Sequence, residues 1–321
     1  MIDGLLVLTL LSVAAVLACF RFVGCAQVLG LEPWKDPEKP PAPPDYGGMI
    51  IKDDTMVAYW RLGDPTASPG VTAKDERNAH NGTYQSEVLM ASPFSAAAAG
   101  VLLPGQPGLL ATAPTQTSVN VDGGYVKVDF NLDLALNPAP EKSFSVEAWV
   151  VPEWSVTETD IFRCVVASRD DTGATKHGYI LYAGPKLNPT TLEITEHPSF
   201  WQAWVGNGSD KWVMLQGPKV EAGQTTYLLL TYDGMAQTLT LDAITNPGPD
   251  TVIPPRLSMM PVLYNPNLGK PLYIGMGGTE IVVPPGQPLY PFRGRLQEIA
   301  FYGTALTTDQ VANHVKEGAG S

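Results

Sequence analysis

Residues 292–314 read "FRGRLQEIAFYGTALTTDQVANH", and this stretch decides the fold. Phe292, Leu296, Ile299 and Phe301 read as parts of a strand. The chain then turns directly into a short helix, with Thr307 or Thr308 as N-cap and Gly318 as its stop. A strand closing into a helix at the end of a long chain needs earlier strands to pair with.

Working outward, those strands are present. From about residue 50 the apolar pattern alternates with period two, clearest in "TMVAYWRL" (55–62), "GGYVKVDF" (123–130), "SFSVEAWVV" (143–151), "GYILYA" (178–183), "TYLLLTY" (226–232), "QTLTLDA" (237–243) and "PLYIGM" (271–276). Turn clusters such as "RDDTG" (169–173), "GNGSD" (206–210) and "TNPGPD" (245–250) separate them, with Gly and Asn supplying positive φ. Strands at this density without intervening helices predict an all-β fold, a two-sheet antiparallel sandwich or jelly roll.

Composition agrees. Hydrophobic residues make up 44% of the 321, charged residues 16%, and there are 31 glycines and 30 prolines, which suits a turn-rich globular chain. The formal net charge of −12 repels phosphate backbones, so nucleic acid is not an expected partner. Of three cysteines, Cys19 and Cys25 lie in the apolar N-terminus and Cys164 is alone in the globular part, so the domain must be stabilised by packing rather than by disulfides.

Three segments follow. Residues 1–31 contain "GLLVLTLLSVAAVLACF" (4–20) and, after Arg21, "FVGCAQVLGL" (22–31). They are expected to form one hydrophobic helix, an uncleaved membrane or assembly anchor, with a signal peptide or a lipoprotein cleavage ending at Cys25 as the competing readings. Residues 32–49, "EPWKDPEKPPAPPDYGGM", form a proline-rich spacer, because clustered prolines impose extended geometry. Residues 50–321 make the domain.

The order and spacing of "VAYWRLGD" (57–64), "NGTY" (81–84), "GGYVKVDF", "SFSVEAWVVP", "TYLLLTYDG", "PLYIGM" and the closing stretch resemble laminin G-like, concanavalin A-like jelly-roll domains, most of all the bacterial and phage branch. The resemblance implies that the closing strand pairs beside "VAYWRL", so that the two ends of the domain meet in one sheet and no free edge is left there. It also implies a calcium ion at the rim of the sandwich. The matching oxygens are Asp64, Asp75, Asn81 and Glu298; the alternative is that Asp64 caps a turn and Glu298 pairs with Arg293 or Arg295.

Glucanases on this fold carry carboxylates alternating along one strand as Glu-x-Asp-x-x-Glu, and that pattern is absent. Glu147 has no acidic partner two residues on, and Glu193 and Glu196 fall on opposite faces of a strand. His80, His177, His197 and His314 begin no metal or nucleophile motif. The expectation is therefore a non-catalytic module, with a glycoside hydrolase as the less favoured reading.

For ligand contact the aromatic run "FWQAWVGNGSDKW" (200–212) stands out, because sugar rings stack on flat apolar faces. Trp204, in phase with Phe200 and Gln202, points opposite to Trp201, so one of the two enters the core and the other is accessible. The resemblance implies that Trp60 and Trp149 are core residues. Trp201, Trp212 and Tyr182 are the candidate ligand contacts. The expected function is surface recognition of a glycan or a surface protein, with the membrane reached through the N-terminal helix and the domain exposed outside the cell. The alternative is a structural or decoration subunit of a virion, filament or envelope complex that assembles through residues 1–31.

Overall fold

The computed structural model describes residues 46–320 apart from 92–93, 114, 131–134, 156–157, 172–173, 189, 249 and 278–289. The anchor expected over 1–31 lies outside the described residues. Among those described, no helix is long and apolar enough to cross a membrane. The spacer expected over 32–49 gives way to folded structure earlier than the prolines suggested: helix α1 spans Tyr46–Lys52, and Tyr46 and Ile50 are fully buried.

The strands, in chain order, are β1 (Met56–Trp60), β2 (Thr72–Ala73), β3 (Gly82–Ser86), β4 (Val88–Leu89), β5 (Ala98–Ala99), β6 (Val101–Pro107), β7 (Thr117–Asp122), β8 (Gly124–Val128) and β9 (Phe144–Pro152). There follow β10 (Arg163–Asp170), β11 (His177–Leu187), β12 (Ile194–Gly206), β13 (Trp212–Lys219), β14 (Thr226–Asp233), β15 (Thr238–Thr245), β16 (Leu257–Met259), β17 (Leu272–Ile274) and β18 (Arg293–Tyr302), and helix α2 spans Thr308–Ala319.

Two antiparallel sheets stack as a jelly-roll sandwich. The first runs β16-β15-β14-β9-β18-β7-β6 with β1 also on β18; the second runs β13-β12-β11-β10-β17-β8-β3-β2. The closing strand does pair with the opening one, Met56 opposite Tyr302 and Trp60 opposite Ile299. On the same edge, β7 takes the earlier half of β18, from Arg293 to Leu296. The pairing of β18 with β9 shifts register between Gln297 and Ala300, and Glu298 there has φ 55°. Such a bulge bends the strand at the point where its partner on one edge changes.

Alternation sorts the side chains into layers. Between the sheets lie Trp60, Phe144, Val146, Leu228 and Phe301 from the first and Tyr179, Leu181, Trp201, Ala203 and Ile274 from the second. Phe144 and Phe301 stack at 5.8 Å with an interplanar angle of 9°. The outer face of the first sheet forms a second core, in which Trp149, Tyr227, Leu229 and Tyr302 are covered by Ile50 of α1 and Val311 and Val315 of α2. Trp60 and Trp149 are thus both buried, on opposite faces of that sheet.

At the centre of this second core is Glu147, fully buried. Its Oε1 accepts from the hydroxyls of Tyr46 (2.8 Å) and Tyr302 (2.9 Å), and its Oε2 from the hydroxyl of Tyr227 (2.9 Å) and from Nδ1 of His314 (2.8 Å). Burial alone would raise the Glu147 carboxyl, but His314 and the hydroxyls outweigh it and hold it below its ordinary value. The same pairing raises His314 against the lowering effect of its own burial.

Helix α2 starts as the sequence indicates. Thr307 caps it, its Oγ1 accepting from Gln310 N at 3.3 Å while Gln310 Oε1 accepts from Thr307 N at 3.0 Å. Its end differs: the helix runs through Gly318 to Ala319 and is capped at Gly320, which has φ 86°. Gly318 is there for contact instead, since a Cβ on it would lie 2.2 Å from Trp149 Cζ2.

Candidate functional site

The outer face of the second sheet carries a feature that a solvated sheet face does not need. Strands β10 to β13 turn Tyr182, Trp204 and Met214 away from the inter-sheet core into a separate apolar cluster with Ile180 and Leu187, flanked by Phe162, Trp212 and Tyr290. The rings form a connected set. Phe162 lies 5.6 Å from Tyr182 and 6.0 Å from Trp204, Tyr182 lies 5.7 Å from Tyr290, and Trp204 lies 6.5 Å from Trp212.

Arg169 is wedged into this set. Its guanidinium sits 5.7 Å from the Trp212 ring centroid and 5.8 Å from that of Tyr290, donates to the Tyr182 hydroxyl at 3.0 Å, and is paired with Asp171. Burial pushes the Tyr182 phenol well above its ordinary value, with Arg169 opposing, so the hydroxyl keeps its proton. The Trp204 indole N–H donates to Gln202 Oε1 at 2.9 Å. Tyr182 and Trp204 are therefore held by hydrogen bonds as well as by packing, and Trp212 and Tyr290 by the guanidinium beside them.

At one end the cluster opens into a groove of about 420 Å3 lined by Phe94, Phe162, Leu187, Leu192, Glu193, Ile194 and Trp204. Phe94 stands 51% exposed on one wall. It packs edge-on to Phe162 at 6.4 Å, and its carbonyl accepts from Phe162 N at 2.8 Å. Leu192 is on the hairpin between β11 and β12, where Asn188 Oδ1 accepts from Thr190 N and Thr191 N at 2.8 and 3.1 Å. Phe94 has φ 66°, Leu192 φ 57°, Asp160 φ 60° and Tyr290 φ 58°. Bulky residues rarely adopt the left-handed region, and two of these, Phe94 and Leu192, line the groove itself, where backbone strain is characteristic of binding sites.

The glycine at 184 belongs to the same construction, because a Cβ on it would lie 2.5 Å from Phe162 Cδ1. Of the expected ligand contacts, Tyr182 and Trp212 lie in this aromatic cluster. Trp201 does not: it is fully buried in the inter-sheet core, and Trp204, its neighbour of opposite phase, lines the groove. Both faces of β12 are apolar over this run, so alternation separates the two tryptophans without saying which side meets the other sheet. Phe94 and Phe162 were missed because they sit on loops outside any alternating run.

The four expected calcium ligands do not form one set. Asp64 Oδ1 accepts from Thr66 N and Thr66 Oγ1 at 2.8 and 2.7 Å, a side-chain-closed turn. Asp75 spends both oxygens on backbone, Oδ1 accepting from Tyr59 N and Arg77 N and Oδ2 from Ala79 N and His80 N. Asn81 Oδ1 accepts from Asp75 N at 2.9 Å. Glu298, buried at the β18 bulge, accepts from the Tyr59 hydroxyl and from Gln297 Nε2 and lies 3.8 Å from Arg61 Nε. Asp64 and Glu298 do share a cleft of about 590 Å3 with Arg61, Lys74, Glu76 and Gln116. Among the described residues no group of three or more His, Cys, Asp or Glu side chains is arranged to hold a metal. Calcium takes six to eight oxygens, and these residues do not fit it. Arg293 and Arg295 are engaged elsewhere, with Asp122 and Glu158 and with Glu153 respectively.

A family model described as the concanavalin A-like lectin/glucanases superfamily matches residues 122–312. The chain belongs to this superfamily. No curated protein matches the sequence. Among solved structures, domain 4 of AbnA, an extracellular arabinanase of Geobacillus stearothermophilus solved with arabinotriose, is 16% identical at a TM-score of 0.46, over 81% of this chain and 98% of that one. The ligand-binding domain of botulinum neurotoxin serotype D, solved with N-acetylneuraminic acid, is 10% identical at a TM-score of 0.49, over 84% of this chain and 52% of that one. A heptameric pentraxin from Limulus polyphemus is 15% identical at 0.37, over 55% of this chain and 70% of that one. This chain thus spans about half the length of the toxin domain.

In this concanavalin A-like domain Glu147, Glu193 and Glu196 lie in three different settings. Glu147 is sealed beneath the helices and consumed by four hydrogen bonds. Glu196 pairs with Lys186, while Glu193, alone of these three, lines the groove.

Proposed function

We propose that this domain is a non-catalytic glycan-recognition module. The aromatic groove on the outer face of the second sheet carries this reading: exposed and half-buried rings are available at a site whose walls are fixed by packing and by strained backbone, within a superfamily of lectins and glucanases. Neutral sugars are favoured over anionic ones by the net charge of −12.

The rest of the proposal concerns presentation. The apolar stretch over 4–31 tethers the module to a membrane or to a larger assembly, and the prolines between 33 and 44 hold it away as a stiff spacer, so that the groove faces a glycan or glycosylated protein outside the cell.

The test is a glycan array probed with the full-length protein and with its Phe94→Ala variant, each with and without EDTA. Saturable binding by the wild type that survives EDTA and is lost in the variant is the expected result. No saturable binding to any glycan would reject the proposal.

A further inference from the structure

The lining of the groove narrows the ligand class, granted that the groove binds a glycan. Its walls are Phe94, Phe162, Leu187, Leu192, Ile194 and Trp204, and the single charged group among them is the Glu193 carboxylate. The Trp204 N–H is already given to Gln202. A fully hydroxylated hexose presents hydroxyls along every edge of its ring, and hydroxyls buried against such walls lose water without gaining partners. An edge that ends in a methyl group loses nothing there.

Glu193 sets the polar requirement. It is exposed at the rim, and its Oε2 accepts one hydrogen bond, from Thr191 Oγ1 at 3.2 Å. A carboxylate accepts about four, so the groove offers acceptors at its rim and calls for a ligand with donors beside its apolar edge. An acidic sugar would be repelled by the same carboxylate.

We infer that the groove selects neutral sugars that carry a methyl group next to a hydrogen-bond donor, a 6-deoxyhexose or an N-acetylhexosamine, over their fully hydroxylated counterparts. The methyl group packs between Phe94, Leu192 and Ile194, and the neighbouring O–H or N–H donates to Glu193. A hydrophobic pocket rejects an isostere that merely adds a hydroxyl by about 100-fold.

The experiment measures affinities of the full-length protein by calorimetry for paired methyl glycosides: L-fucoside against L-galactoside, and N-acetylglucosaminide against glucoside. The expected result is at least about tenfold tighter binding of the methyl-bearing member of one pair, and which pair separates the 6-deoxy from the N-acetyl source. Phe94→Ala, at an exposed position, is expected to remove that preference, and Glu193→Gln to weaken binding of the preferred member. Equal or tighter binding of the hydroxylated members, lost in Phe94→Ala, would overturn this inference and leave glycan recognition standing. A methyl preference untouched by Phe94→Ala would also overturn it, by placing the site elsewhere. Failure of every sugar to bind would overturn both.

Discussion

Glu147 Oε2 and His314 Nδ1 meet at 2.8 Å across 167 residues of chain, in a box closed by the hydroxyls of Tyr46, Tyr227 and Tyr302. This contact ties α1, β9, β14, β18 and α2 together at one point. Removing one member of a buried ion pair leaves the other uncompensated, at a cost of about 3–5 kcal/mol. Glu147→Ala is expected to lose stability in that range by chemical denaturation, and His314→Ala to do so in neutral buffer.

The pH dependence follows from the two directions of shift. His314 is raised above 6.5, so its contribution is complete below about 6.5 and is lost as pH rises through its folded value. Glu147 is lowered below 4.5, so its contribution is complete above about 4.5 and is lost as pH falls through its folded value. The pair is therefore fully effective between about 4.5 and 6.5. Denaturation midpoints measured across pH should fall on the alkaline side in the wild type, and His314→Gln should remove that alkaline slope.

The packing of α2 on the first sheet depends on the missing side chain at 318. Alanine would gain up to about 1 kcal/mol of helix propensity over glycine. Its Cβ, however, would sit 2.2 Å from Trp149 Cζ2, and overpacking of this kind costs about 1–3 kcal/mol. Gly318→Ala is expected to lower the thermal midpoint, and an unchanged or raised midpoint would show that the helix moves off Trp149 freely.

Much of the sandwich was legible along the chain, and the reasons are local. Period-two runs such as "TYLLLTY" place their own side chains on alternate faces, and the family resemblance implied the pairing of β1 with β18. The phase between Trp201 and Trp204 was legible too, but not which of them faces the other sheet, since β12 is buried on both sides. The engagement of Asp75 and Glu298, expected as calcium ligands, was not legible, because the backbone N–H groups and the Tyr59 hydroxyl that bond them are brought there by loops and by a strand bulge. Glu147 and His314 gave no local sign at all, because only the closed topology makes them neighbours.

Metal removal provides a separate check. An ion bound only by the folded state raises its stability in proportion to RT ln(1 + [L]/Kd). With the oxygens of Asp75 and Asn81 already taken by backbone N–H groups, calcium and EDTA are expected to give the same thermal midpoint, and a calcium-dependent rise would show that a site exists.

Groove shape can be altered without removing a ring. A Cβ at 184 would displace Phe162, whose Cδ1 lies 2.5 Å away. Gly184→Ala is expected to weaken glycan binding by about tenfold, or about 1.4 kcal/mol. The checks are calorimetry for affinity and circular dichroism for retained fold.

Recognition at the aromatic groove is tested most directly by titrating a binding glycan into protein labelled with 15N at tryptophan and following the indole N–H signals. Trp204 lines the groove and Trp201 is sealed between the sheets. A saturable shift of the Trp204 signal with little movement of Trp201 is the expected outcome. Binding that leaves Trp204 unmoved would contradict it.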